Sequence, residues 1–371
     1  MAIYKIFPEK SATIYSFYPT LNTGLDEILE ISTFYSINST DEVSRALIKF
    51  PSAQISGTFA DKVKNKDFDV YLKLYLANAS SIPLNYTIFA HPIAADWNQG
   101  TGRLGNVPIT TDGVSWQFKD QISGSVWISG AYPSNVTGSF RSGSAAVSGG
   151  GTWNTSGSNY YQSTQSFTNS TSKDIELKVT NIVSASYVNA IPNYGFILKH
   201  SSSIEFTTQS KFETKYFSGN THTIYPPCLE IRWNDFIFSP LSASLVISSS
   251  EFIPSLGNNK GEFQQDSSQR FRVNVRDKFP ARAFQTTSVY LNNKYLPSSS
   301  YWSIKDLDTE EIVVDYDSTY TKISCDHSSS YFDVYMNGLQ PERYYKLLFK
   351  TELSNGETVI SDNNYYFKVI R

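Results

Sequence analysis

Only two cysteines, Cys228 and Cys325, are spread over the 371 residues, and they lie far apart in the sequence. Isolated cysteines of this kind read as buried apolar residues, free of each other, and not as a disulfide framework or a redox motif. Histidine is nearly as scarce, at four residues: His91, His200, His222 and His327. His222 and Cys228 stand close together in "THTIYPPCLEIRW", but no further ligand type lies at metal-binding spacing from either. Pro226 and Pro227 between them cannot donate ladder hydrogen bonds, so they begin a strand. In that strand Leu229, Ile231 and Trp233 share one face, with Cys228, Glu230 and Arg232 on the other. The stretch reads as a closing core strand.

Charge is sparse and balanced, with 31 basic against 34 acidic residues and a net charge of -3. The signs are interleaved, which excludes an electrostatic footprint for nucleic acid or an anionic membrane. No apolar run is long enough to span a bilayer, and the opening "MAIYKIFPEKSATIY" has no apolar core of signal-peptide length. Synthesis in a cytoplasm, with no membrane and no nucleic-acid partner, is the expectation. No G-x-S-x-G elbow, P-loop, H-E-x-x-H or C-x-x-C occurs. Acids such as Asp308 with Glu310 and Glu311, or Asp315 with Asp317, alternate like a solvated strand edge. Asp26, Glu27 and Glu30 match no dedicated calcium loop and read as a surface turn. The expectation is a non-enzyme with no catalytic residue, no metal and no cofactor.

What the chain does have is aromatic residues: 25 Tyr and 24 Phe, among abundant Ser, Thr and Asn. That composition favours strands joined by polar turns, and the length predicts two or three domains. "ATIYSFYP" sets Ile14 and Ser16 against Tyr15 and Phe17. "DVYLKLYLA" sets Val70, Leu72, Leu74 and Leu76 against Tyr71, Lys73 and Tyr75. "YGFILK" reads as a buried strand after a short helix or turn. With no long helical pattern between strands, a sandwich or jelly roll is predicted. After "NDFIFSP", short strands and turns alternate evenly through "QRFRVNVRDKF", "SVYLNN", "TKISCD" and "RYYKLLFKTEL". This is an immunoglobulin-like pattern, with Asn355 and Gly356 at a hairpin tip. The predicted fold is all-β: a jelly-roll β-sandwich over 1–237, then an immunoglobulin/fibronectin-like β-sandwich over 238–371.

Residues 97–172 differ in texture, being rich in Ser and Gly and poor in aliphatics. Trp97, Trp116, Trp127 and Trp153 punctuate them, with Tyr160 and Tyr161 beyond. Two readings stay open. Exposed tryptophans stack on sugar rings, and tryptophans also pin long loops onto a sandwich. These six aromatics are the candidate interface or glycan-binding residues, and the segment is the expected assembly surface.

Two resemblances rest on particular stretches. "SATIYSFYPTLNTGLDEILEI", "SRALIKF", "YLKLYLANA", "DWNQGTG", "GVSWQF", "GGGTW", "IELKVTNIV", "NYGFILK" and "PPCLEIRW", in that order, resemble DNRLRE-type, carbohydrate-binding-module-like jelly rolls. The resemblance implies that Asn22 and Gly24 make the first turn, that Arg45 opens the second strand, and that Trp97 and Trp116 anchor loops. Along its whole length, with "YWSIKDLDTEEIVVDYD" and "YYFKVIR" among the stretches, the chain is similar to virion structural proteins of marine and cyanobacterial contractile-tailed (myovirus-like) phages. That similarity implies a non-enzymatic particle component of the tail, baseplate or neck, contacting other virion proteins in multiple symmetric copies. A host-surface glycan is the alternative partner.

Overall fold

The computed structural model describes residues 2–35, 41–127, 136–137, 149–154, 158, 160–205, 212–280 and 293–371. They form an all-β protein whose chain divides into two compact units. One unit holds Ile6–Lys64 and Asp69–Glu230. The other holds Met1–Lys5, Asn65–Phe68 and Ile231–Arg371, so the division falls inside the strand Cys228–Trp233.

The first unit is built on a large sheet. Its order is Ser163–Thr168, Asn85–Pro92, Phe196–His200, Asp41–Lys49, Ile28–Tyr35, Phe212–Phe217 and Leu76–Ser80, with Lys10–Tyr15 also pairing to Asp41–Lys49. Ile14 is fully buried while Tyr15 is only partly covered, as the alternation of "ATIYSFYP" predicts. "DVYLKLYLA" departs from its predicted single strand. The chain leaves one sheet at Leu74 and enters another at Leu76, so Val70, Leu72 and Leu74 are buried and Leu76 is not. "YGFILK" becomes the wholly buried strand Phe196–His200, preceded by the helix Thr180–Tyr187. Among the described residues no helix is long and apolar enough to cross a membrane.

All four candidate tryptophans belong to one apolar cluster of this unit, with Ile14, Leu47 and Ile197 among their neighbours. The chain from 97 to 127 and from 149 to 154 therefore supplies core. Small residues make this possible by letting backbone approach rings closely. Gly150, at φ +85°, is such a place: an added Cβ would lie 2.6 Å from Arg45 Nη1 and 2.7 Å from Trp116 Cζ2.

Arg45 is the centre of that packing. It lies mid-strand, paired with Ile14, and is buried to 1 % exposure. Its Nε and Nη2 donate to the two carboxylate oxygens of Glu205 at 2.9 Å each, and Nη1 donates to the Gly150 carbonyl. The guanidinium lies 4.9 Å from the Trp116 ring and 5.1 Å from Trp153. Lys199, also buried, places its Nζ 3.0 Å from Glu205 Oε2. Burial alone pushes the Glu205 carboxyl up, but Arg45 and Lys199 overcome it and hold the group below the usual carboxylate range.

The second unit is a sandwich of two sheets. One runs Phe252–Gly257, Ser268–Asp277, Ser330–Tyr335, Ser324–Cys325. The other runs Glu262–Gln264, Thr358–Ile370, Arg343–Glu352, Ser300–Asp306, Ile312–Val314. Trp302, Phe271, Phe332, Phe349 and Phe367 fill the space between them. The Asn355–Gly356 tip sits between paired strands as predicted, with Gly356 at φ +87°. Tyr345 is buried and its hydroxyl donates to the Gln340 carbonyl at 3.0 Å, the back-bond typical of a tyrosine at the start of a late sandwich strand. "SVYLNN" lies almost wholly outside the described residues. Both cysteines are buried, and neither is in a disulfide.

Removing one member of a buried charge group strands the others in low dielectric. Glu205→Ala is therefore expected to cost about 3–5 kcal/mol in urea unfolding. Asp69→Ala, which removes a pair with the exposed Lys178, should cost no more than about 1 kcal/mol. Equal small losses would contradict the assignment of Arg45 and Glu205 as the packing centre.

Candidate functional site

Strand alternation places two acid-bearing stretches side by side. In Ile28–Tyr35 the residues Leu29 and Ile31 face the core, so Glu30 and Ser32 face the opposite side of the sheet. In Phe212–Phe217, Thr214 and Tyr216 are buried, which turns Glu213 and Lys215 the other way. The strands pair with Lys215 opposite Glu30 and Glu213 opposite Ser32. These four side chains form the floor of a cleft of about 610 Å³.

The walls come from loops. Tyr15, Phe17, Tyr18 and Leu21 close one part, and Leu104, Asn106 and Ile109 close another. Asn22, fully buried, holds the second loop in place. Its Nδ2 donates to the carbonyls of Gln99 and Val114 at 2.7 and 2.8 Å, and its Oδ1 accepts from the amides of Gly24 and Gly102. All four hydrogen-bonding positions of the amide are thereby used. Asn22 is thus the anchor of this part of the cleft wall. Phe17 and Tyr18 meet edge to face at 4.7 Å and remain 54 % and 46 % exposed.

The floor is electrostatically uneven. Burial lifts the Glu30 carboxyl above its ordinary range, and Glu213 adds to the lift. Ser32, which donates to Glu30 Oε1 at 2.7 Å, and Lys215 pull it the other way. Lys215 Nζ lies 2.5 Å from Glu213 and 3.9 Å from Glu30. Tyr15 donates to Glu30 Oε2 at 3.4 Å. A raised folded-state pKa means that the ionised carboxylate costs stability, and the cost disappears as pH falls and the group protonates. The fold carries Glu30 at a loss near neutral pH.

No protein-family model matches the chain, and no curated protein does.

The predicted site residues are distributed differently from the cleft. Trp97, Trp116, Trp127 and Trp153 are between 0 and 6 % exposed. The indoles of Trp97 and Trp127 donate to the carbonyls of Tyr194 and Ser115 at 2.9 and 2.8 Å. A ring in this state offers no face to a sugar or a partner, so the expectation of a tryptophan-borne interface is corrected: these rings pin the loops. Tyr160 is exposed and Tyr161 half-buried, and the Tyr161 carbonyl lies 3.4 Å from His91 Nδ1. Most of the Ser/Gly stretch 138–158 lies outside the described residues. Glu30, read as part of a surface turn, sits instead on a strand in the cleft floor. His222 is exposed on a loop beside Glu27, and Cys228 is buried. Among the described residues no group of three or more His, Cys, Asp or Glu could hold a metal. Asp317 caps a turn by accepting from Thr319 and Tyr320 amides, and Glu310 pairs with Lys305 at the surface.

The cleft residues were not singled out from sequence, although a signal existed. "EIS" and "ETK" both alternate charge or hydroxyl with buried apolar residues, and "SFYP" sets two large aromatics in a turn. Pairing across the sheet is what joins them, and only the fold shows that. Phe17→Ala and Tyr18→Ala are each expected to change unfolding free energy by no more than about 0.5 kcal/mol. Trp116→Ala should cost about 3–5 kcal/mol. Urea titration of the three variants checks this, and a mild Trp116→Ala would contradict its place in the core.

Proposed function

We propose that this chain is a non-enzymatic structural component of a tailed-phage virion, in the tail, baseplate or neck, where it assembles with other virion proteins in multiple symmetric copies. The resemblance of stretches such as "YWSIKDLDTEEIVVDYD" and "YYFKVIR" to particle proteins of contractile-tailed phages motivates the reading. The observation that carries it is the pair of β-sandwich units, each filled by an aromatic-rich core, a construction suited to rigid packing in a particle. The cleft agrees with a binding role: its floor offers hydrogen-bond acceptors and its walls offer rings. Synthesis in the host cytoplasm follows from the same reading.

A second reading, adhesion to host-surface glycan, is favoured by one feature of the cleft. Exposed Phe17 and Tyr18 line the same cleft as the Glu30, Glu42 and Glu213 carboxylates, a combination of apolar face and hydrogen-bond acceptor that suits sugars. It moves the glycan role from the tryptophans to a different set of aromatics.

Immunogold labelling of purified particles with an antibody raised to residues 238–371 tests the first reading. Label at the tail, baseplate or neck is the expected outcome. A chain abundant in infected lysate but absent from particles would overturn it.

A further inference from the structure

We propose that the cleft of the first unit binds a neutral, hydroxyl-rich saccharide chain and discriminates against anionic polysaccharides. The inference rests on the glycan reading above and names the class of glycan. Its first support is the donor and acceptor inventory of the floor. Ionised carboxylates only accept hydrogen bonds, and Glu30 and Glu213 supply acceptors in excess. The single amine in the lining, that of Lys215, is already directed at both. The three carboxylates Glu30, Glu42 and Glu213 in the lining suit a ligand that brings donors of its own.

Three kinds of ligand bring donors: polyols, ammonium groups and guanidinium groups. Lys215 argues against the cations at this floor, because its ammonium already lies between the Glu30 and Glu213 carboxylates that a second cation would seek. The walls complete the argument. Phe17 and Tyr18 offer large apolar faces, and a pyranose ring carries hydroxyls on its rim and C–H groups on its faces. The opening of about 610 Å³ lies within the range of sites that hold small ligands. A uronate or sulfated chain would set its charges against Glu30, Glu42 and Glu213, with Lys215 alone to offset them.

Glu30 also separates a binding role from a structural one. The fold bears its buried carboxyl at a cost, so Glu30→Gln should leave the melting temperature unchanged or raised. A carboxyl kept only for packing would give the opposite result.

Affinity electrophoresis of the full chain through gels containing laminarin or mannan (neutral), alginate (anionic) or a Lys/Arg-rich peptide conjugate (cationic) tests the proposal. Retardation by a neutral polysaccharide and not by alginate is expected. Phe17→Ala/Tyr18→Ala and Glu30→Gln should each weaken it at least tenfold with no loss of thermal stability. Phe279→Ala, an exposed ring in the other unit, should leave it unchanged. Retardation by alginate would overturn the neutral assignment while leaving glycan adhesion standing. Retardation by the peptide alone, or by none of the three, would overturn both. Neutral binding that survives the cleft variants would remove the site from this cleft.

Discussion

The first unit depends on how one buried guanidinium is satisfied. Taking Arg45 out of water costs several kcal/mol, and the cost is offset only if every donor finds an acceptor in good geometry. The Glu205 carboxylate meets two of its nitrogens and the Gly150 carbonyl a third, and two indole faces flank its plane. Those partners come from stretches of chain far apart in sequence. Meeting the charge therefore fixes where the 149–154 segment lies and forces glycine at 150. It also holds Trp116 and Trp153 inward. The tryptophans are core because the arginine is core.

The first unit treats its buried carboxylates in two opposite ways. Glu205 is surrounded by cations, and its carboxyl is held low; Glu30 has weaker partners, and its carboxyl is lifted. One is paired for the stability of the fold, and the other is left partly unmet in a cleft. Groups whose environment works against their charge concentrate at sites with a binding or chemical role. The contrast singles out the Glu30 face of the sheet from the Arg45 interior.

Much of the architecture was legible because it follows from period-two alternation. Ile14 against Tyr15, the buried "GFILK" strand and the Asn355–Gly356 hairpin each follow from local pattern and turn chemistry. The break at Tyr75 was not legible, because "DVYLKLYLA" alternates without interruption and only pairing shows that two sheets share it. Of the two readings the tryptophans left open, burial selects the one in which they pin the loops, and the assembly surface expected of their segment is not borne by these rings. Scarce aliphatics around them read as a loop without a core, whereas the rings themselves are the core and the small residues give them room. The cleft was least legible. Glu30 and Lys215 are cross-strand neighbours separated by most of the first unit's sequence, and no spacing rule connects them.

On the proposal above, binding belongs to the Phe17–Glu30–Lys215 cleft, while the tryptophan-lined segment is interior. Hydrogen–deuterium exchange of the full chain, with and without saturating laminarin, tests it most directly. Added protection is expected across 13–18, 28–33, 104–109 and 212–217, with 149–154 slow to exchange in both conditions. Protection appearing at 149–154, or none at the cleft under saturating binding, would contradict the account.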